Sequence, residues 1–301
     1  MAKRIIDSHA HIGDIFHENK NITFKTNVKK GDYEDPFIDC ERSGYTIPLF
    51  PKKVEDLINA GQYRTWEWTL ENLTKELDEH PEVEGIVMLP IWPNQTFEEY
   101  LAASKLEPRI IPFTTCVLDM PPDEMVLKLR KDIDRGAKGL KLHPTIQNAA
   151  LDDLRIEAAV SLFGEAGLPV LTHCGANPYY TDDSPWSKVT TPAFSDFPKV
   201  VEFCHKWKHV NIIVAHCCME VDELYEAIKG LDNIYTDTSM CSAAMMQKGV
   251  DLMGEDKILF GTDVPFGSFH YSLAELDKAF PDRPEILDRV GYANIATLLK
   301  I

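Results

Sequence analysis

Eight short apolar segments recur along the chain, and a segment with a helical pattern separates most of them from the next. The segments are rich in Ile, Val and Leu. Apolar strands that alternate with helices indicate a parallel sheet covered on both faces. Eight repeats in 301 residues favour a closed (β/α)8 TIM barrel over an open doubly wound sheet. The predicted strands span residues 4–13, 84–92, 110–118, 137–144, 168–175, 210–218, 233–239 and 257–267.

The segments between the strands carry helix patterns and helix-end signals. No G-x-G-x-x-G motif opens a predicted helix, which weakens the dinucleotide-binding alternative. We predict one domain over residues 1–301, with long loop insertions at about 14–65 and 176–195. The predicted helices span residues 66–80, 96–105, 122–135, 151–166, 197–208, 221–229, 243–253, 271–280 and 284–299.

The composition restricts the partners that the chain can have. A net charge of −17, from 48 acidic and 31 basic residues, argues against nucleic acid or an anionic membrane. No apolar run approaches the length of a membrane span, and the first residues lack a signal-peptide core. Seven cysteines without C-x-x-C spacing indicate small buried residues in a reducing compartment. We therefore expect a cytoplasmic protein that binds a small molecule, and a homodimer is an open expectation.

Metal-ligand residue types follow four of the predicted strands. His9 and His11 are two residues apart, so a strand directs both imidazoles to one face. His173, His216 and Asp263 each follow a later apolar run. Because the chemistry of such barrels lies at the C-terminal ends of the strands, we expect these side chains to cluster. A cation would offset the cost of grouping so many buried polar side chains, and imidazole with carboxylate suits zinc.

Five motifs point further: D-S-H-A-H-I-G, G-L-K-L-H-P, L-T-H-C-G, I-V-A-H-C and F-G-T-D-V-P-F-G. With these motifs the chain resembles the metal-dependent amidohydrolase superfamily over essentially its whole length. It is most similar to the amidohydrolase 2 branch, which includes the aminocarboxymuconate-semialdehyde decarboxylase-like enzymes. The resemblance implies that His9, His11, His173 and Asp263 bind one divalent metal ion, most often Zn²⁺. It places His216 beside that ion, where it acts on the substrate or the metal-bound water.

Chemical roles follow for the residues around the ion. Asp263 can bind the metal through one oxygen and accept a proton from water through the other. His216 can hydrogen-bond a developing oxyanion or protonate a leaving group, which makes both residues catalytic candidates. Asp7 is a candidate for orienting a ligand histidine, and Asp237 is predicted to be structural. Aromatic residues of the second insertion, among them Tyr179, either line a pocket or pack the insertion onto the barrel.

Lys141 and His143 are the candidate substrate-binding residues, because both face the same side of the fourth predicted strand. Lys141 could bind a substrate carboxylate, pair with a carboxylate of the barrel, or be carboxylated and bridge two metals, as in binuclear relatives. The G-L-K-L-H-P form resembles the mononuclear branch, which favours a single metal. For His143, substrate contact and a structural role are equally good interpretations.

The predicted function is a metal-dependent hydrolase of a small-molecule amide, ester or lactone, with metal-activated water as nucleophile. The alternative is a metal-dependent, non-oxidative decarboxylase of an aromatic or unsaturated carboxylic acid. A TatD-type nuclease is a third interpretation, opposed by the acidic charge and by the missing glutamate on strand four. A barrel that only binds metal or a partner protein is the fourth.

Overall fold

The strands of the barrel all run parallel. The computed structural model describes residues 3–17, 29–45, 53–217 and 219–301. Within these ranges the strands form two sheets, with the orders β1-β2-β3 and β4-β5-β6-β7-β8-β9. The strands are β1 Ile5–Ala10, β2 Val83–Met88, β3 Ile110–Pro112, β4 Thr114–Thr115, β5 Leu140–Leu142, β6 Val170–Thr172, β7 Ile212–Val214, β8 Ile234–Asp237 and β9 Ile258–Leu259.

Backbone hydrogen bonds cross both gaps between the two sheets. At one gap, β3 and β4 are halves of one predicted strand on either side of Phe113, whose N–H donates to Met88 O at 3.0 Å. At the other gap, Ser8 N–H donates to Phe260 O and Asp263 N–H donates to His9 O, both at 2.8 Å. The sheets therefore follow one another around a ring, and the predicted (β/α)8 barrel is confirmed.

Helices follow the strands around the outside of the barrel. The α-helices are α1 Pro36–Arg42, α2 Val54–Glu67, α3 Leu70–Glu79, α4 Phe97–Leu106, α5 Pro122–Asp134, α6 Pro144–Gln147, α7 Leu154–Ala166, α8 Phe197–Lys206, α9 Val221–Ala227, α10 Ala243–Met253, α11 Phe269–Ala279, α12 Pro284–Asp288 and α13 Asn294–Leu299. Short 3₁₀ turns at Pro185–Val189 and Pro192–Ser195 lie in the second insertion. No described helix has the length and apolar character that a membrane crossing needs.

Three sequence predictions about these elements need correction. The loop predicted over 14–65 contains α1 and most of α2, and Asp35 caps α1 by accepting from Phe37 N–H. The helix predicted over 66–80 is divided, because Thr69 leaves the helix and caps α3 with its side chain. The helix predicted over 284–299 is interrupted by a π-helical turn at Arg289–Ala293.

Two glycines permit the tight packing at the centre of the barrel. A Cβ at Gly139 would lie 2.3 Å from the ring of Phe113, which fills the barrel interior. A Cβ at Gly291 would lie 2.7 Å from the Cδ1 atom of Ile5, so this glycine lets the π turn approach β1. The strands of the structure are shorter than the predicted apolar runs.

Candidate metal centre

The predicted site residues from β1, β5, β6, β7 and β9 lie together at the mouth of the barrel. The rings of His9 and His216 lie 4.8 Å apart between centroids, and those of His173 and His216 lie 5.1 Å apart. The cluster comprises His9, His11, Lys141, His143, His173, His216 and Asp263, and their side chains are at most 13% exposed. The structure therefore brings the predicted site residues together at one end of the barrel.

Three of these side chains present ligand atoms to one point. His9 Nε2 lies 3.4 Å from Asp263 Oδ1, and His11 Nε2 lies 3.6 Å from the same oxygen. The other ring nitrogen of each histidine contacts a protein acceptor: His9 Nδ1 lies 2.8 Å from Asp237 Oδ2, and His11 Nδ1 lies 2.8 Å from Leu89 O. An acceptor beside Nδ1 places the proton there and leaves the lone pair on Nε2.

These separations fit a single divalent ion. Ligand atoms at about 2.0–2.2 Å from a tetrahedral ion lie roughly 3.3–3.6 Å from one another. Burial, reinforced by the charge of Lys141, lowers the pKa of His9 and His11, so both imidazoles are neutral and able to bind a metal. Burial raises the pKa of the Asp263 carboxyl, and a bound cation would act in the opposite direction. His9, His11 and Asp263 therefore suit a metal ion by geometry and by chemistry.

A second group that could hold an ion comprises His9, His216 and Asp237. The three residues are hydrogen-bonded to one another. The 2.8 Å contact between His9 Nδ1 and Asp237 Oδ2 is a hydrogen bond, and His216 N–H donates to Asp237 Oδ1 at 3.2 Å. His9 and His216 keep the pKa of Asp237 below its usual range although burial opposes this. Asp237 thus orients His9, a role that its position at the end of a strand did not reveal.

Asp7 supports the same histidine through the backbone. Its Oδ1 atom accepts from the N–H groups of His9 and Thr262, both at 3.0 Å, and its Oδ2 atom accepts from the Thr262 hydroxyl at 2.5 Å. The carboxylate therefore ties β1 to the segment that carries Asp263. Asp7 holds the backbone of His9 in position, and Asp237 holds the orientation of its ring.

His173 lies in the cluster but does not join the three converging ligand atoms. Its Nε2 atom lies 2.8 Å from the Tyr179 hydroxyl and 3.1 Å from Gly175 O. A carbonyl only accepts, so the contact with Gly175 places a proton on Nε2. The ring also stacks on His143 at 4.1 Å between centroids with an interplanar angle of 7°. Sequence reasoning did not identify Tyr179 as the partner of His173.

Lys141 is fully buried beside the three ligand side chains. Its Nζ atom lies 3.4 Å from His9 Nε2. Burial lowers the pKa of Lys141 to about 8, against the effect of the Asp263 and Asp237 carboxylates. The amine therefore lies directly beside the candidate ligand atoms.

The backbone is strained at two of the predicted catalytic residues. His216 has φ of 65° and Asp263 has φ of 58°, in the left-handed region that residues other than glycine rarely adopt. Such a conformation costs on the order of 1–3 kcal/mol and persists only where surrounding contacts enforce it. At both positions the turn takes the side chain out of the strand direction and into the mouth.

Aromatic side chains cover the cluster. The Phe266 and His11 ring centroids lie 6.4 Å apart, and Phe16 lies 6.0 Å from Phe266 and 5.7 Å from Tyr179. Two described clefts, of about 350 and 490 Å³, are lined by residues outside the cluster. The aromatic cover thus lies between the candidate ligands and solvent.

The outer histidine His17 has a clear structural partner. Its Nδ1 atom lies 3.2 Å from Asp14 Oδ1, and the Trp66 indole N–H donates to Asp14 Oδ2 at 2.7 Å. This contact joins the first insertion to α2.

Several solved structures resemble this chain over nearly its whole length. Solved structures that resemble the chain include the 2,6-dihydroxybenzoate decarboxylase from Rhizobium, at 13% identity and a TM-score of 0.64, covering 99% of each chain. The 5-carboxyvanillate decarboxylase from Novosphingobium aromaticivorans, complexed with manganese, is 13% identical with a TM-score of 0.64, covering 99% of this chain and 96% of that one. A probable 2-pyrone-4,6-dicarboxylic acid hydrolase from Acinetobacter baumannii is 13% identical with a TM-score of 0.61, covering 99% and 100%.

At these identities the structures establish the fold alone. No curated protein sequence matches the chain. The sequence model of the amidohydrolase family, in contrast, matches residues 6–301, which include all of the clustered side chains. The chain belongs to the amidohydrolase family.

Proposed function

We propose that this chain is a metal-dependent, non-oxidative decarboxylase of a small planar carboxylic acid. The observation that carries the proposal is the buried Lys141 amine, 3.4 Å from the Nε2 atom of a candidate metal ligand. An ion and an ammonium side by side make a site for an anion, which a neutral amide or ester does not need. The two solved decarboxylases with this fold, one complexed with manganese, support this choice over hydrolysis.

His9, His11 and Asp263 would hold one divalent ion, with His173 as a fourth ligand once it leaves Tyr179. When bound, the ion supplies Lewis-acid stabilisation of negative charge on substrate oxygen. The donor set suits zinc, which is the first candidate, and manganese is the second.

The residues of the chain would share the remaining work. Lys141 binds the substrate carboxylate, and the cover of Phe16, Tyr179 and Phe266 accommodates a flat ring and excludes water. During the reaction the bond to the carboxylate carbon breaks, its electron pair stays on the substrate carbon, and a proton replaces the released CO2. His216 takes a proton from a substrate hydroxyl or water at Nε2 and returns it to that carbon.

The second candidate is hydrolysis of an anionic lactone, favoured by the pyrone dicarboxylic acid hydrolase with the same fold. The test uses the metal-loaded protein with carboxyl-¹³C hydroxybenzoates in one panel and lactone carboxylates in another. Labelled CO2 formed in equal amount with the decarboxylated ring confirms the proposal. Ring opening of a lactone without CO2 from any acid supports the hydrolase instead. Chelator-treated protein is the control for metal dependence.

A further inference from the structure

The hydroxyl group of Ser239 lies between His216 and Asp237. His216 Nδ1 is 2.8 Å from Ser239 Oγ, and that hydroxyl donates to Asp237 Oδ1. The backbone N–H of Ser239 donates to the same oxygen at 3.2 Å. Ser239 and Asp237 are both fully buried, so water does not compete for these contacts.

The number of donors fixes the direction of each hydrogen bond. Four groups point at the Asp237 carboxylate: His9 Nδ1 at 2.8 Å, His216 N–H at 3.2 Å, and the N–H and O–H of Ser239. A carboxylate surrounded by donors is an acceptor only, so Ser239 gives its single proton to Asp237. The serine oxygen then accepts from His216, which requires a proton on His216 Nδ1.

The nearest alternative acceptor is too far away to set this tautomer. Asp263 Oδ2 lies 4.0 Å from His216 Nδ1, beyond hydrogen-bonding distance. Within the described part of the chain, Ser239 is the hydrogen-bond partner of Nδ1, and no described side chain bonds to Nε2. Loss of the serine hydroxyl would leave the His216 ring free to change tautomer or turn toward Asp263.

We propose that Ser239 is a positioning residue that holds His216 in the Nδ1–H tautomer and reserves Nε2 for proton transfer. The proposal rests on the proposed role of His216 in the reaction. The hydrogen bonds from Asp237 through the serine hydroxyl hold the His216 ring in place, as an aspartate orients the histidine of a hydrolytic triad. The same carboxylate orients His9, so Asp237 serves a metal ligand with one oxygen and the proton-transfer histidine with the other.

The test compares Ser239→Ala with Ser239→Thr, which keeps a hydroxyl, in the metal-loaded protein. Ser8→Ala is the matched control, since Ser8 is also fully buried at this end of the barrel but its hydroxyl has no described hydrogen-bond partner. The readouts are the ¹⁵N shifts of the two His216 ring nitrogens, assigned by their loss in His216→Asn, together with metal content, kcat and KM.

We expect Ser239→Ala to move the His216 nitrogen shifts away from the Nδ1–H pattern. We expect kcat to fall by about 10–100-fold, the range typical when an outer hydrogen-bond partner in a site is lost, with metal content and KM retained. Ser239→Thr should restore both the shifts and kcat, and Ser8→Ala should alter neither.

Unchanged nitrogen shifts in Ser239→Ala would overturn the proposal, and so would a changed tautomer with full kcat. If Ser239→Thr alone failed to fold, the comparison of Ser239→Ala with Ser8→Ala would still decide the tautomer. A wild-type protein that releases no CO2 would refute the proposed function, while the nitrogen shifts would still report whether the serine sets the tautomer.

Discussion

Two pairs of histidines lie at the same barrel mouth and are held in opposite ways. In the pair from β1, both Nδ1 atoms contact protein acceptors, Asp237 Oδ2 and Leu89 O, each at 2.8 Å. Their Nε2 atoms are left with lone pairs that converge on Asp263 Oδ1. The protein groups around His9 and His11 thus orient both Nε2 atoms toward one point.

The pair His143 and His173 is held by contacts between the two rings and with neighbouring protein groups. Their rings stack at 4.1 Å. His143 Nδ1 accepts from Ile146 N–H at 3.3 Å, which places the proton of the neutral ring on Nε2, and His173 Nε2 contacts Tyr179 at 2.8 Å. Identical side chains thus present lone pairs on one side of the mouth and N–H groups on the other. The neighbouring groups, and not the residue type, therefore decide which ring nitrogens keep lone pairs and which carry protons.

The largest effect expected from this contrast is loss of the ion when the first pair is removed. The double variant His9→Ala, His11→Ala should bind less than a tenth of the roughly one ion per chain that we predict, because only Asp263 remains of the three converging ligands. Metal analysis of the purified protein measures this. His270→Ala removes an exposed histidine and is the control. Full metal content in the double variant would contradict the assignment.

Loss of the proton-transfer group should spare the ion. His216→Asn is expected to reduce kcat by about 10²–10⁴-fold while most of the metal stays bound, since His216 is not one of the three converging ligands. Rate and metal content are measured on one preparation with the identified substrate. Activity that falls only in proportion to metal loss would make His216 a ligand.

An intermediate effect is expected at the carboxylate that orients His9. Asp237→Asn keeps the shape but weakens the acceptor, so metal affinity should fall by about 10–100-fold in a chelator competition. Asp282→Asn, on the exposed surface, is the control for a lost carboxylate. An unchanged affinity would show that the Nδ1 contact does not organise the ligand.

The smallest effect concerns the second pair. Tyr179→Phe removes a hydrogen bond that competes for His173 Nε2, worth about 1 kcal/mol, so metal affinity should rise by at most about 5-fold. Titration with a chelator of known affinity resolves such a change. A fall in affinity would mean that Tyr179 helps His173 reach the ion.

The sequence predicts the barrel because alternating strands and helices leave few other solutions, and it predicts the residues of the mouth because strand ends converge there. The hydrogen-bond partners of these residues could not be predicted from the sequence. Asp237 is the last residue of a strand, and only its 2.8 Å contact with His9 shows that it orients a candidate ligand. Tyr179 and Ser239 belong to loops whose paths depend on tertiary packing. The π turn at Arg289–Ala293 packs closely on β1, a tertiary contact that local sequence patterns do not reveal.

The most direct test of the account is a crystal structure of the metal-loaded protein with anomalous diffraction at the metal edge. We predict one ion per chain, at about 2.0–2.2 Å from His9 Nε2, His11 Nε2 and an oxygen of Asp263, with Lys141 an unmodified amine. An ion bound between His216 and Asp237 would contradict it, and so would two ions bridged by a carboxylated Lys141.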